Sequence, residues 1–410
     1  MVMTSPAGVQ TITPHLSQAR ESVPSARPAV ALCALAMVAE GFDTYSVGYA
    51  APIIIREWGS SPTMIGNLFA ASVVASAIGT MGIGVIADRF GRKPCLIVAL
   101  VVFGLATLIT AHVANMAELA AVRILSSLAL GASVPSAIAL ACDAVTPSRR
   151  AATAALLSAS IAIGIVASGL AAAALVPDHG WQSLMYVGGL FALVLALPIL
   201  KLVREPVHEA TAALGPSHNV GALFAPVYRR ATLVLLFVMT TIYATSFFFN
   251  FWLPSLLLRH DPDMQKVALA NALAQTFSLA GALLTGWAMD RNGLRALAAI
   301  FAVTAIVLTA AVGLPSSFVG LVLGCCCICL CINGAFGGAL AAPVQVYPQE
   351  MRATALGFTI GLARLIGGSL GPLAGGWLLA WNLPTIAVAV AFGPFLLLSA
   401  AALFLYARRA

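Results

Sequence analysis

Long apolar runs, separated by short loops that hold most of the charge, constrain this chain more than any other feature. Hydrophobic residues make up 61% of its 410 positions and charged ones 9%, against about 25% charged in a soluble domain. A helix that crosses a bilayer needs roughly 20 mostly apolar residues. Twelve such segments are predicted, at 29–54, 63–87, 95–114, 117–143, 152–176, 182–203, 231–258, 266–289, 296–314, 316–347, 353–380 and 384–407. A backbone in hydrocarbon must satisfy its own hydrogen bonds. The expected fold is therefore an all-α polytopic membrane protein.

Six of these spans fall in each half, and one loop motif occurs in both. Gly84, Asp88, Arg89, Gly91 and Lys93 map onto Gly286, Asp290, Arg291, Gly293 and Arg295 by adding 202, as Arg150 maps onto Arg352. A repeat at half the chain length means two copies of one unit. The expected organisation is a tail over 1–27, a six-helix bundle over 28–203, a linker over 204–230 and a second six-helix bundle over 231–410. The tail reads as disordered, and the linker carries Pro206, Pro216 and Pro226.

Lysine and arginine in loops set the orientation. With the N-terminus inside, sixteen of the 21 lie on the cytoplasmic side. Arg56, Arg259 and Lys266 lie outside, and Arg123 and Arg364 fall within helices. Both termini are thus expected to be cytoplasmic. The net charge of +7 then reflects topology and contact with anionic lipid headgroups, not nucleic acid. No short apolar stretch near the start suggests a cleaved signal. Cys325, Cys326, Cys327, Cys329 and Cys331 crowd one span without metal-site spacing, so they read as packing residues and no metal or disulfide is assigned. Phosphate-cradling and zinc-protease signatures are absent. The chain is expected to be no enzyme and to need no cofactor, with its energy coming from an ion gradient.

The loop motif reads as a conformational latch. Asp88 can pair with a loop arginine, Arg89, Arg92 and Lys93 can meet helix C-termini, and Asp143 is a further partner. Gly91 suits a tight turn. The competing reading is a charged turn that only sets topology.

Charged side chains at membrane depth cost about 2.5–3.5 kcal/mol each on insertion scales, so each is a functional candidate. Glu40 and Asp43 stand three apart and project from one side of a helix. Two carboxyl groups on a poorly solvated face resist holding two charges, which suits them to carry a proton; a static ion pair with Arg123 or Arg364 is the structural alternative. Arg123 stays charged and is an electrostatic neighbour for such a carboxyl. Pairing with Glu118 is its structural alternative. Arg364, in the Gly-rich run Gly361 to Gly371, offers a planar fork that matches a carboxylate, with static pairing to the first span as its alternative. In the seventh span, Tyr243, Phe247 and Trp252 can stack on an aromatic ring, and Asn250 is costly there unless hydrogen-bonded.

These motifs resemble the major facilitator superfamily over nearly the whole chain. The loop Gly84–Lys93 is similar to its G-x-x-x-D-R-x-G-R-[KR] pattern. Glu40-Gly-Phe-Asp43 resembles the D-G-[FY]-D motif of the aromatic acid:proton symporter branch, with Glu in the first place. Arg123 to Gly131 is similar to a helix-4 R-x-x-x-G pattern, with Ser127 where Gly is usual. Gly361-x-x-Arg364-x-x-Gly367 resembles a helix-11 pattern, and Trp252-Leu-Pro254 ends a similar aromatic helix 7. The resemblance implies two bundles rocking about a central site in the inner membrane. It also implies import of a small aromatic carboxylate with protons, by a chain working as a monomer. A non-aromatic organic anion, or efflux by proton antiport, is the alternative.

Overall fold

The computed structural model of the chain describes residues 26–203, 220–310, 318–381, 383 and 390–408. Most of the expected tail and of the linker, and the start of the expected span over 384–407, lie outside the described residues. Among those described there is no strand. The helices are α1 (Ala26–Trp58), α2 (Pro62–Phe90), α3 (Arg92–Thr110), α4 (Met116–Asp143), α5 (Arg150–His179), α6 (Gln182–Leu202), α7 (Arg229–Leu258), α8 (Met264–Ala310), α9 (Phe318–Val346), α10 (Gln349–Ala380) and α11 (Gly393–Ala407).

Helix α8 accounts for two of the twelve spans. Its 47 residues would stretch about 70 Å at 1.5 Å per residue, more than twice the hydrocarbon thickness of about 30 Å. The break is at Gly293, with φ 56° and ψ −141°. The chain doubles back there. Gly281 before the break packs on the backbone of Leu330, and Thr304 after it donates to the carbonyl of Cys331, 3.3 Å away. Gly91 has φ 93°, so both copies of the loop turn on a glycine in left-handed conformation, where a Cβ would be strained.

Local chemistry sets the other boundaries. Ser61 caps α2 by accepting from the N–H of Met64 at 3.3 Å, ahead of Pro62. Asn115 and Glu118 form a reciprocal cap at α4: Asn115 accepts from the N–H of Glu118, and Glu118 accepts from that of Ala114, both at 3.0 Å. Glu118 is thereby committed to the helix end and does not pair with Arg123. Before α8, Asp263 accepts from the N–H groups of Lys266 and Gln265, which hold its carboxyl below the usual carboxylate range.

The repeat extends to packing. A Cβ on Gly79 would run into the carbonyl oxygen of Leu128 on α4, and one on Gly281 into that of Leu330 on α9. Both residues of this contact are related by 202 positions. Small residues here let backbones touch, which drives helix association where lipid gives no hydrophobic advantage.

Among the described residues, the glycine contacts that bring the two halves together lie toward one end of the bundle. A Cβ on Gly66 of α2 would lie 2.8 Å from the carbonyl oxygen of Pro372 on α10 and 3.1 Å from the Cα of Gly376. One on Gly48 of α1 would lie 3.1 Å from the carbonyl oxygen of Phe251 on α7. Tyr49 of α1 accepts a hydrogen bond from Asn271 of α8 at 2.7 Å. All these positions lie toward the end that carries the α1–α2 turn and the α7–α8 loop. Toward the end that carries Gly91 and Gly293, the same stripe of α10 loses its partner, and Gly361 and Gly357 face open space. Among the described residues, the space between the halves is closed at one end and open at the other.

Candidate functional site

A cavity of about 240 Å³ lies where the halves diverge. Its walls come from both of them. Helices α1, α2 and α4 bring Glu40, Thr44, Tyr45, Phe69, Ser72, Ser76, Arg123 and Ser127; α7, α9 and α10 bring Tyr243, Phe247, Phe251, Phe336 and Arg364. The acid Glu40 and most hydroxyls come from the N-terminal half, beside the rings of Tyr45 and Phe69, while the C-terminal half supplies four rings and one guanidinium.

Glu40 and Asp43 do not share an environment. Asp43 is wholly buried and turned toward α3 and α4. Arg123 donates to its two oxygens at 3.2 and 3.0 Å, and Thr107 donates to Oδ1 at 2.7 Å. A bidentate guanidinium–carboxylate pair is among the strongest polar contacts available. Glu40 faces the cavity instead. Its hydrogen bond comes from Thr44, at 3.5 Å, and no ion pair within 4.0 Å reaches it among the described residues. Three residues along a helix rotate the side chain by about 60°, and here that separates the cavity wall from the interior of the N-terminal half.

Arg364 reaches across the halves to donate to Ser76 at 2.9 Å. Its Nε is buried with no protein hydrogen-bond partner among the described residues. The guanidinium thus keeps a donor free for an acceptor in the cavity. The ring wall stands beside it. Tyr243 packs edge-on to Phe336 at 4.8 Å and tilted against Phe247 at 5.8 Å, and Phe247 meets Phe251 at 6.0 Å.

Two residues expected to bind substrate stand away from this wall. Trp252 is fully buried, donates to the carbonyl of Pro372 at 3.1 Å and packs edge-on to Phe69. Asn250 donates to Ser246 and accepts from Gln275 at 2.9 Å, so its polar atoms are spent between α7 and α8. Phe251 takes the place on the wall that Trp252 was expected to fill. The four-residue spacing of Tyr243, Phe247 and Phe251, one stripe of α7, was the signal for it. Ser72 and Ser76 on α2 share that spacing and were also missed.

The loop residues are arranged unequally in the two halves. Arg92, at the start of α3, pairs with Asp143 at the end of α4, so this bond joins helices of one half and does not bridge the two. Lys93 donates to the carbonyl of Leu200 at the end of α6, at 2.8 Å. Arg89 is exposed over the ring of Phe90. Gly84 is in the last turns of α2, and the side chain of Asp88 lies outside the described residues. In the second half, Asp290, Arg291 and Arg295 are exposed, and Arg291 stacks on Trp287 at 3.8 Å. The positions 202 beyond Arg92 and Asp143 are Leu294 and Gln345. Both partners of the ion pair are neutral there.

Comparison with known proteins agrees with this architecture. The chain is 29% identical over 401 residues to the 4-hydroxybenzoate transporter PcaK of Pseudomonas aeruginosa, covering 88% of each. It is 32% identical over 390 residues to a gallate transporter of Pseudomonas putida, covering 86% of this chain and 85% of the relative. With the 3-(3-hydroxy-phenyl)propionate transporter of Escherichia coli it shares 29% over 408 residues and 98% of both chains. Among solved structures, a bacterial homologue of the human lysosomal transporter Spinster superposes with a TM-score of 0.79 at 17% identity, over 92% of this chain and 96% of the other. The nucleoside transporter NupG does so with 0.75 at 15% identity, over 92% and 98%. Residues 33–372 match the Major Facilitator Superfamily, and this multi-pass membrane protein belongs to that family.

Proposed function

We propose that the chain imports a small aromatic carboxylate together with protons, by alternating access to the cavity between its halves. The observation that carries this reading is Arg364, whose buried Nε has no protein partner among the described residues, beside a wall of Tyr243, Phe247, Phe251 and Phe336. A planar guanidinium fork matches a carboxylate, and a ring wall favours a flat apolar body over an aliphatic one. The relatives named for 4-hydroxybenzoate, gallate and 3-(3-hydroxy-phenyl)propionate share that chemistry, a carboxylate on an aromatic frame.

Glu40 is the proton carrier in this reading. It lines the cavity and has no ion-pair partner within 4.0 Å among the described residues. Asp43 and Arg123 neutralise one another and hold α1 against α4. Placing both termini in the cytoplasm, as the loop lysines and arginines favour, makes the open end cytoplasmic and the conformation inward-open. The monomer is sufficient, since one chain supplies every wall of the cavity.

The test is uptake of labelled 4-hydroxybenzoate into proteoliposomes under an imposed proton gradient, with unlabelled aromatic and aliphatic acids as competitors. Accumulation abolished by a protonophore, and displaced by aromatic acids alone, is the expected result. Uptake indifferent to the gradient removes the coupling. Equal displacement by aliphatic acids removes the ring.

A further inference from the structure

At the closed end, one ring of the C-terminal half is seated against two rings of the N-terminal half. Phe251 of α7 stacks on Phe69 of α2 with centroids 4.5 Å apart and planes 21° apart, and on Tyr45 of α1 at 5.9 Å and 12°. Phe251 and Phe69 are buried. The backbone beneath is equally close, since the carbonyl of Phe251 lies against Gly48. The neighbouring Trp252 ties α7 to α10 through Pro372 and packs edge-on to Phe69. Near-parallel ring pairs of this kind contribute beyond their buried area.

Tyr45 and Phe69 belong to the same half, on helices joined by a turn of only three residues (59–61). A rocking motion that separates the halves at the closed end withdraws Phe251 but leaves the spacing of Tyr45 and Phe69 unchanged. Two ring faces are then exposed to the cavity.

We infer that Tyr45 and Phe69 form an aromatic-ring site that Phe251 occupies when this end is closed and the ring of the cargo occupies when it is open. The inference rests on the aromatic-acid reading above and adds where, and in which state, the ring is recognised. A flat aromatic ring replaces the stacking lost when Phe251 leaves, whereas a saturated ring of similar size does not. An aromatic cargo thus binds the state open at this end better than a saturated one, and a ligand shifts an equilibrium only by such a difference. Selectivity for aromatic rings is accordingly greater from the closed end than from the open end, where Phe251 already fills the site.

The experiment compares benzoate with cyclohexanecarboxylate, a carboxylate on a saturated six-membered ring, as inhibitors of labelled 4-hydroxybenzoate transport. Vesicles of both orientations are used, so that each end of the protein is presented in turn. In the wild-type protein the preference for benzoate is expected to be about fivefold greater when the acids are presented at the end closed in this structure. Equal preference from the two ends overturns the inference, and needs no variant. Tyr45→Leu and Phe69→Leu are expected to reduce the preference at that end, while Tyr45→Phe, which keeps the ring, retains it. If Tyr45→Leu transports with its preference intact, the site is refuted although aromatic-acid transport stands. If neither acid inhibits and 4-hydroxybenzoate is not carried at all, the aromatic-acid reading itself has failed.

Discussion

Arg123 grips Asp43 through two parallel hydrogen bonds, with 3% and 0% of their side chains exposed, while Glu40, one turn earlier, looks into the cavity. Two acids of one short motif thereby acquire different tasks. The distinction sets the first two predictions.

Asp43→Asn leaves the Arg123 charge buried without its counter-ion. Breaking a buried pair from one side costs about 3–5 kcal/mol, so the variant is expected to lose thermal stability in detergent together with every mode of transport. Asp43→Asn with Arg123→Gln removes both charges and should recover much of that stability without restoring transport. Unfolding curves for the two single variants and the double variant decide the point.

Glu40→Gln keeps the shape of the cavity wall and removes the group that takes up the proton. Exchange of labelled for unlabelled substrate across the membrane should persist, while accumulation against a gradient disappears. Both assays run in the same proteoliposomes. A variant that still accumulates substrate moves the proton site elsewhere.

Arg364→Lys preserves charge but loses the planar fork and the Nε donor. Hydrogen bonds to charged groups contribute about 1.5–3 kcal/mol, so half-saturation for an aromatic carboxylate is expected to rise by roughly 10- to 100-fold. The readout is the concentration dependence of initial uptake. Ester analogues, which lack the carboxylate, should show no such difference between the two proteins.

Gly376→Val places methyl groups where the carbonyl oxygen of Pro62 and the Cα of Gly66 stand 2.8 and 3.1 Å from a Cβ. Backbone atoms cannot yield, so the seal between α2 and α10 is expected to open. A cysteine placed at Phe69, 1% exposed in the closed arrangement, should then react with a membrane-impermeant maleimide applied at that end. It should stay protected when Gly376 is intact and the end is closed.

Arg92 and Asp143 are partly exposed, at 30% and 26%, and a pair so solvated contributes no more than about 1 kcal/mol. The second half replaces them with Leu294 and Gln345. Arg92→Leu combined with Asp143→Gln should therefore fold as stably as the parent. Single substitutions, which leave one charge unpaired, should be less stable than the double. A double-mutant cycle on thermal midpoints measures this.

Much of this protein could be read from the order of its residues. Apolar runs separated by charged loops determine that the solvent is a bilayer, because hydrocarbon tolerates only a backbone that bonds to itself. The offset of 202 determines two like halves, and it reaches as deep as the contact of Gly79 with Leu128 repeated by Gly281 with Leu330. The cost of charge at membrane depth singled out Glu40, Asp43, Arg123 and Arg364 without any coordinates. What each of them faces was settled only by tertiary packing. Spacing along a helix specifies the angle between two side chains, but the rotation of the whole helix follows from where its neighbours press. That rotation sent Asp43 to Arg123, 80 positions away, put Phe251 and not Trp252 on the wall, and spent Asn250 on Gln275. It also brought the halves together at the level of Gly48, Gly66 and Gly376, where a missing side chain lets backbones approach, and left Gly357 and Gly361 facing open space.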